Sequence, residues 1–211
     1  MTAIVDQATQ RARDRQAGVL QAIRARRSIG RVRPERPPKE LVEQVLEAAV
    51  WAPNHRLTEP WRFFVLAGEA REELGELFAA LQGAKLPLDA PDRQAQIDKA
   101  RAKPLRAPVV IAVAVEPARG PKVVEIEEVL AGGAAVQNML LAAHDLGLAA
   151  MWRTGDPAYD PTVKAFFGLP ATAHIVGFVY VGYPAGAAPR MKRAPAAERV
   201  EWRGWREDTS G

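Results

Sequence analysis

The apolar run from Pro108 to Val115 constrains the fold more than any other part of the sequence. It consists of Pro-Val-Val-Ile-Ala-Val-Ala-Val, which has the length of a strand and carries apolar side chains on both faces. A strand of this kind is covered on both sides, so it predicts a central strand in a sheet between layers of helices. Three further strands are predicted from short β-branched and aromatic runs, at 61–66, 148–152 and 175–181.

Apolar residues at helical spacing predict helices around these strands. The predicted helices lie at 17–27, 38–52, 69–82, 93–103, 123–146 and 161–168. The longest of them has acidic residues in its first turns, where the helix dipole favours negative charge. Its middle, 130–136, is almost free of large side chains, which would let another backbone approach closely.

The chain is predicted to form one domain, 17–211, preceded by a polar N-terminal extension at 1–16. The last part of this domain, 185–211, is rich in Ala, Pro and Arg and has no apolar block large enough for a core of its own. It nevertheless carries the hydrophobic residues Val200, Trp202 and Trp205. Such a tail is expected to dock, either on its own subunit or on a neighbouring one.

Composition excludes several classes of site. There is no cysteine, so disulfides, thiol nucleophiles and thiolate metal sites are impossible. The three histidines, His55, His144 and His174, are far apart in sequence, and no metal centre is expected. No apolar run approaches the ~20 residues that span a bilayer. The first residues lack the apolar block of a signal peptide, so we expect a cytoplasmic protein without a membrane anchor.

Positive charge is concentrated near the N-terminus. The net charge is +4, and the segment 24–31 holds four arginines around Ser28. Arginine forks and a serine hydroxyl both donate to phosphate oxygens. A basic surface turn is the plain alternative. The segment shows no aromatic interleaving and no nucleic-acid-binding motif, so a small molecule with a phosphate group is favoured over nucleic acid.

Several other motifs follow in a fixed order. They are Arg26-Arg27-Ser28, Ala-Pro-Asn-His at 52–55, Pro-Trp-Arg-Phe-Phe-Val at 60–65, Gln-Asn-Met-Leu-Leu-Ala-Ala at 137–143, Met-Trp-Arg-Thr-Gly at 151–155 and Phe-Phe-Gly-Leu-Pro at 166–170. Each motif alone has little specificity. In this order and spacing, over about 17–210, they resemble the FMN-dependent nitroreductases, most closely the compact YdjA-like NAD(P)H nitroreductases.

This resemblance implies an α+β fold, with a central mixed β-sheet flanked by helices and a C-terminal tail that docks on the partner subunit. It also implies a homodimer with FMN at the interface. Carried over to this sequence, the flavin-binding residues are Arg26, Arg27, Ser28, His55, Glu59, Trp152, Arg153 and Thr154. Arg26, Ser28 and Arg153 would bind the phosphate, and Arg27 would lie near the ribityl chain or the ring. The backbone of 152–154 would approach the flavin edge.

The second subunit would bring His55 and Glu59 to the same flavin. Where the related proteins have glutamine, this chain has Glu59, a carboxylate that reduced, anionic flavin would disfavour unless the carboxylate is paired or protonated. Arg56, Arg62 or an arginine across the interface could pair with it. Otherwise the Glu59 side chain would point to solvent.

The function implied by the resemblance is an NAD(P)H oxidoreductase that reduces nitroaromatics, quinones or similar planar acceptors by ping-pong hydride transfer. FMN would carry the redox chemistry, so no catalytic side chain is assigned, and NADPH or NADH would be the reductant. Three alternatives stay open: a flavin enzyme of the same fold with a different dedicated dehydrogenase reaction, a non-catalytic FMN-binding protein, and a nucleic-acid-binding module.

Overall fold

The computed structural model describes residues 18–205, which form a four-stranded β-sheet between two layers of helices. The strands are β1 (Trp61–Ala67), β2 (Val109–Val115), β3 (Ala149–Arg153) and β4 (His174–Gly182). The helices are α1 (18–25), α2 (Lys39–Val50), α3 (Glu69–Lys85), α4 (Arg93–Arg101), α5 (Glu125–Asp145), α6 (Asp156–Tyr159) and α7 (Pro161–Phe166). The α+β class is confirmed, and the extension at 1–16 lies outside the described residues.

The sheet has the strand order β1-β2-β4-β3, and every neighbouring pair is antiparallel. The prediction of a mixed sheet is therefore wrong for these four strands. Two packed helices, α3 and α4, connect β1 to β2, so the chain returns to the end of the sheet where β1 stopped. One long helix, α5, connects β2 to β3. These two strands are parallel, as a single-helix connection requires, but β4 lies between them.

The strand β2 is the centre of the core, as predicted. All seven of its side chains are buried, because both of its edges are paired and both faces are covered. Val109, Ile111 and Val113 pack with α2 and α5 on one face. Val110 and Ala112 pack on the other face, against α3 and the segment that follows β3. Because β2 lies between two layers of helices, its side chains are apolar on both faces, which explains the continuous apolar run in the sequence.

The six helices predicted from the sequence are present, although some of them end at other residues than predicted. The helix α1 ends at residue 25 rather than 27, because Ser28 leaves the helix and pairs with Ala150 at the edge of the sheet. The short helix α6 was not predicted. None of the helices in the described part of the chain is long and apolar enough to cross a membrane.

The helix α5 lies close to the sheet because Gly132 has no side chain. A Cβ atom there would lie 2.4 Å from Cγ2 of Val115 and 2.8 Å from Cγ2 of Val176. Valine cannot move aside easily, since its χ1 is restricted. The neighbouring Gly133 has room, because its nearest side-chain atom is in Trp152 at 4.0 Å. A side chain would therefore clash at position 132 but fit at position 133.

This difference gives a matched pair of substitutions. Gly132→Ala is expected to lower the free energy of unfolding by about 1–3 kcal/mol, because the added methyl group overpacks the contact with β2. Gly133→Ala is expected to raise it by about 0.5–1 kcal/mol, because alanine is the better helix former and meets no neighbour. Urea unfolding of both variants measures the two changes. Equal effects would contradict the close contact at Gly132.

The tail after β4 begins on the sheet and then leaves the core. The amide of Ala185 donates to the carbonyl of Arg31 at 3.1 Å. Farther along, Val200, Trp202 and Trp205 are exposed, and the two indoles contact each other with ring centroids 5.4 Å apart. Within residues 18–205, these side chains find no burial on their own subunit.

Candidate functional site

The basic segment predicted to bind phosphate lies along the edge strand β3. Ser28 forms a parallel bridge with Ala150, and the amide of Ile29 donates to the carbonyl of Ala150 at 3.1 Å. The chain leaves α1 at this point, so the end of that helix is held beside the sheet. This contact brings Arg26 and Ser28 to the strand whose end carries the predicted flavin-binding residues Trp152, Arg153 and Thr154.

Arg26 is the most unusual side chain of this segment. Its Nη1 atom is buried and has no hydrogen-bond partner among the described residues. Burial lowers the pKa of Arg26, and the charges of Arg193 and Arg27 lower it further. The guanidinium of Arg26 is thus repelled by two others, while its buried Nη1 has no acceptor among the described residues. An anion at this point would satisfy the donor and relieve the repulsion.

We call Arg26, Arg27 and Arg193 the arginine cluster. Arg27 uses its Nη1 locally, since this atom donates to the carbonyls of Arg24 at 2.5 Å and Arg26 at 2.9 Å, at the end of α1. Arg193 comes from the tail, where its side chain is exposed, and its charge acts on Arg26. No local pattern marks it, because it lies 166 positions after Arg27 in the sequence.

Arg153 lies between Gly30 of the basic segment and a cavity. A Cβ atom at Gly30 would lie 3.3 Å from Nη2 of Arg153 and 3.2 Å from the Met151 side chain, so the backbone of Gly30 lies close to both side chains. The Arg153 guanidinium lies over the ring of Tyr180, with its carbon 5.5 Å from the ring centroid. The side chain is therefore held on the face of the sheet that α3 covers.

This cavity, here called the basic cavity, has a volume of about 500 Å³. Its lining includes four cationic residues, Lys85, Lys103, Arg106 and Arg153, together with the backbone turn 154–157 and the rings of Phe78, Phe178 and Tyr180. Lys85 pairs with Asp156 at 2.9 Å and holds the pKa of that carboxyl below its usual value. Burial raises the pKa of the Tyr180 phenol. The cavity combines aromatic walls with positive charge.

Lys103 and Arg106 are residues that the sequence interpretation did not assign. Lys103 directly precedes the turn Pro104–Arg106, and Arg106 is its last residue, just before the buried strand β2. A usable signal did exist. Polar residues at the beginning of a buried central strand lie at the edge of the core, where cavities open.

Trp152 faces the opposite side of the sheet from Arg153, because the two residues are adjacent on a strand. Its Nε1 donates to the carbonyl of Val176 at 3.1 Å, and its indole lies against Gly177 and near Gly133. The indole forms part of a second, more apolar cavity of about 390 Å³ beneath α5. Thr154, directly after β3, lines both cavities, so it lies between the basic cavity and the more apolar one.

His55 and Glu59 lie apart from the other predicted residues. Neither lines either cavity as formed by residues 18–205. The His55 ring is 2.5 Å from the carboxylate of Glu127, at the beginning of α5, and both side chains are about half exposed. Six of the eight predicted residues thus lie around the arginine cluster and the β3 turn, and two lie on a separate loop.

The Glu59 side chain is exposed, and neither nearby arginine pairs with it. Arg62 pairs with Glu116 at 3.1 Å, and Arg56 donates to the carbonyl of Lys122 at 3.3 Å. Within the described residues, the geometry favours the solvent-facing alternative for this carboxylate.

Comparison with known proteins identifies the family. The model of the nitroreductase family matches residues 23–183, which is more than half of the chain. The chain belongs to the nitroreductase family. It is 36% identical over 165 residues to the protein of Escherichia coli K12 named "Putative NAD(P)H nitroreductase YdjA", covering 78% of this chain and 87% of that protein. The family inferred from the sequence motifs is therefore confirmed.

Solved structures of this family share the fold. The nitroreductase-like family protein from Bacillus cereus superimposes with a TM-score of 0.75 at 28% identity, covering 89% of this chain and 96% of that one. A nitroreductase from Bacteroides fragilis, solved with bound FMN, superimposes with a TM-score of 0.68 at 28% identity, covering 88% and 98%. The nitroreductase-like fold is confirmed over most of this chain.

Proposed function

We propose that this protein is an FMN-dependent NAD(P)H oxidoreductase of the nitroreductase type, reducing nitroaromatics, quinones or similar planar acceptors. The observation that carries the proposal is the buried, unpartnered Nη1 of Arg26 within the arginine cluster. A donor in this state fits a phosphate group, which accepts several charge-assisted hydrogen bonds. The Escherichia coli relative named as an NAD(P)H nitroreductase and the FMN-bound neighbour support the same assignment.

The phosphate of FMN would be held by Arg26, Arg193 and the Ser28 hydroxyl. Gly30, two residues after Ser28, lies beside Arg153, and Arg153 lines the basic cavity. An elongated ligand could therefore place its phosphate at the arginine cluster and its ring in the cavity. Arg153, which the sequence resemblance assigned to the phosphate, lines the cavity and lies nearer the proposed ring.

When bound, FMN would supply the two-electron chemistry between a nicotinamide donor and a planar acceptor. The chain contributes the electrostatic environment. Lys103, Arg106 and Arg153 place positive charge around the proposed ring position, which would favour the anionic reduced form over the neutral oxidised one. The aromatic walls of the cavity would exclude water from the ring. Donor and acceptor would use the same opening in turn, which is the ping-pong scheme.

The active unit is proposed to be a homodimer formed by residues 17–211 of each chain and located in the cytoplasm. Its support is the set of large apolar side chains that one described chain leaves exposed. Ile126 and Leu130 on α5 are 59% and 65% exposed, and Trp202 and Trp205 of the tail are more exposed still. In this dimer, His55 and Glu59 would act on the flavin of the partner subunit.

The test uses the purified full-length protein. We expect it to bind one FMN per chain, to elute as a dimer, and to oxidise NADPH or NADH only when a nitroaromatic or quinone acceptor is added. Initial rates at several acceptor concentrations should give the parallel double-reciprocal lines of a ping-pong reaction. Bound FMN without acceptor-dependent turnover would favour a non-catalytic flavin protein, and absence of FMN binding would overturn the proposal.

A further inference from the structure

Glu128 is the one charged side chain that is fully buried in the described part of the chain, with 1% of its surface exposed. It lies in the first turn of α5, where the helix dipole favours a carboxylate. Its Oε1 accepts a hydrogen bond from the Thr58 hydroxyl at 2.7 Å, and its Oε2 accepts one from the amide of Ala118 at 3.2 Å. Both carboxylate oxygens are therefore satisfied by donors outside the helix.

These two donors belong to different connections of the fold. Thr58 lies in the segment 53–60, here called the His55 loop, which precedes β1. Ala118 lies in the segment that follows β2, far from the His55 loop in sequence. One buried carboxylate thus joins both connections to the beginning of α5.

The His55 loop needs such a support because its backbone is strained. Arg56, Leu57 and Glu59 have φ angles of 59°, 53° and 46°, in the left-handed region that side chains other than glycine disfavour. The loop has few buried side chains of its own, and Leu57 is 81% exposed. A backbone in this state persists only where its surroundings fix it.

Three further side-chain contacts that hold the loop are exposed. The amide of Glu59 donates to Oδ1 of Asn54 at 3.0 Å, the His55 ring contacts Glu127, and Nε of Arg56 donates to the carbonyl of Lys122 at 3.3 Å. Exposed contacts of this kind are weakened by water and salt. The buried hydrogen bond between Glu128 and Thr58 is protected from both.

We infer that Glu128 is a positioning residue: it holds the His55 loop in the strained form that presents His55 and Glu59 at the surface. The consequence for turnover rests on the proposed function, in which these two residues act on the partner's flavin. The effect on the loop is independent of the proposed function, because it follows from hydrogen bonds within one chain.

Hydrogen-bond geometry, rather than negative charge, positions the loop. In Glu128→Gln, the amide oxygen can accept from Ala118 and the amide nitrogen can donate to the Thr58 hydroxyl. That hydroxyl then donates to the carbonyl of His55, which is already 3.2 Å away. In Glu128→Leu, the side chain has similar size, but both donors lose their buried acceptor.

The first test is limited trypsin digestion of the full-length protein, followed by mass spectrometry of cleavage after Arg56 in the exposed loop. Cleavage after Lys85, at the end of α3 and away from the loop, serves as the internal reference. Loss of a buried acceptor corresponds to about a tenfold change in the population of open loop. Glu128→Leu should accelerate cleavage after Arg56 by about that factor relative to the reference, and Glu128→Gln should leave it near the wild-type rate.

Thr58→Val removes the same hydrogen bond from the other side and should also accelerate cleavage after Arg56. This variant keeps the test decisive if Glu128→Leu fails to fold. A wild-type cleavage rate in Thr58→Val or in folded Glu128→Leu would overturn the positioning role. Equal acceleration in Glu128→Gln and Glu128→Leu would overturn the claim that geometry suffices.

The second test measures turnover with FMN bound. Glu128→Leu should lower kcat about tenfold with little change in KM for the nicotinamide donor, and Glu128→Gln should restore kcat. Wild-type kcat in a Glu128→Leu protein whose loop is cleaved faster would overturn the link to turnover. If the wild-type protein neither binds FMN nor turns over, the proposed function fails, and the digestion result still decides the role of Glu128 in the loop.

Discussion

Replacing Arg26 by alanine is expected to weaken FMN binding by about 10- to 150-fold. A hydrogen bond to a charged group contributes about 1.5–3 kcal/mol, and each 1.4 kcal/mol is a tenfold change in affinity. Without FMN, the same substitution should leave the protein as stable as the wild type or more so, because it removes a buried donor without an acceptor and a repulsion with Arg193 and Arg27. Opposite effects on affinity and stability are the signature of this site.

Fluorescence titration of apo-protein with FMN measures the affinity, and thermal unfolding of the apo-protein measures the stability. Arg31→Ala is the matched control, because it removes one positive charge from the same basic segment at an exposed position. It should change FMN affinity by no more than about threefold, as expected of an exposed charge. Wild-type affinity in Arg26→Ala would show that the phosphate lies elsewhere.

The second large effect is expected at Gly177 in β4. This residue has a φ angle of 150°, and a Cβ atom there would lie 2.3 Å from Nε1 of Trp152 and 2.7 Å from the backbone oxygen of Arg153. A backbone atom cannot move aside as a flexible side chain does. Gly177→Ala should therefore lower the free energy of unfolding by about 3 kcal/mol, from backbone strain of about 1–2 kcal/mol and overpacking of about 1–3 kcal/mol.

The same substitution should also weaken FMN binding, because it separates the end of β3 from β4 and displaces Arg153. Urea unfolding monitored by circular dichroism gives the stability, and fluorescence titration gives the affinity. Gly186→Ala is the control, since a Cβ atom at this exposed tail position has no neighbour within 4 Å in the described structure. It should change stability by no more than about 0.5 kcal/mol. An unaltered urea midpoint in Gly177→Ala would contradict the close contact.

The parts of the fold that the sequence predicted are those encoded by local patterns. The apolar run of β2 predicted a strand buried on both faces, because alternate side chains of a strand point to opposite faces and each face here meets a layer of helices. The periodicity of α2, α3 and α5 predicted helices within a few residues of their ends. Strand direction was not predictable in this way. It depends on the path that each connection takes back to the sheet, and no local sequence pattern encodes that path.

The site was predicted only where its residues lie within motifs. Arg26 and Ser28 could be recognised from their neighbours in sequence, as could Arg153. Arg193 and Lys103 could not, because their relevance arises from contacts across the fold. The burial of Arg26 without a partner is likewise a property of the folded chain, and the sequence showed only that arginines are abundant there.

The strand order β1-β2-β4-β3 has a kinetic consequence. Each pairing joins strands separated by at least one helix, and within residues 18–205 no two strands are joined by a tight hairpin. Sheets built from such distant segments fold slowly, on the order of milliseconds to seconds, because long loops must close before the contacts form. The edge strand β3 is joined to β2 only through β4. The proposed ligand site therefore needs both pairings, and FMN would select a chain whose core is already assembled.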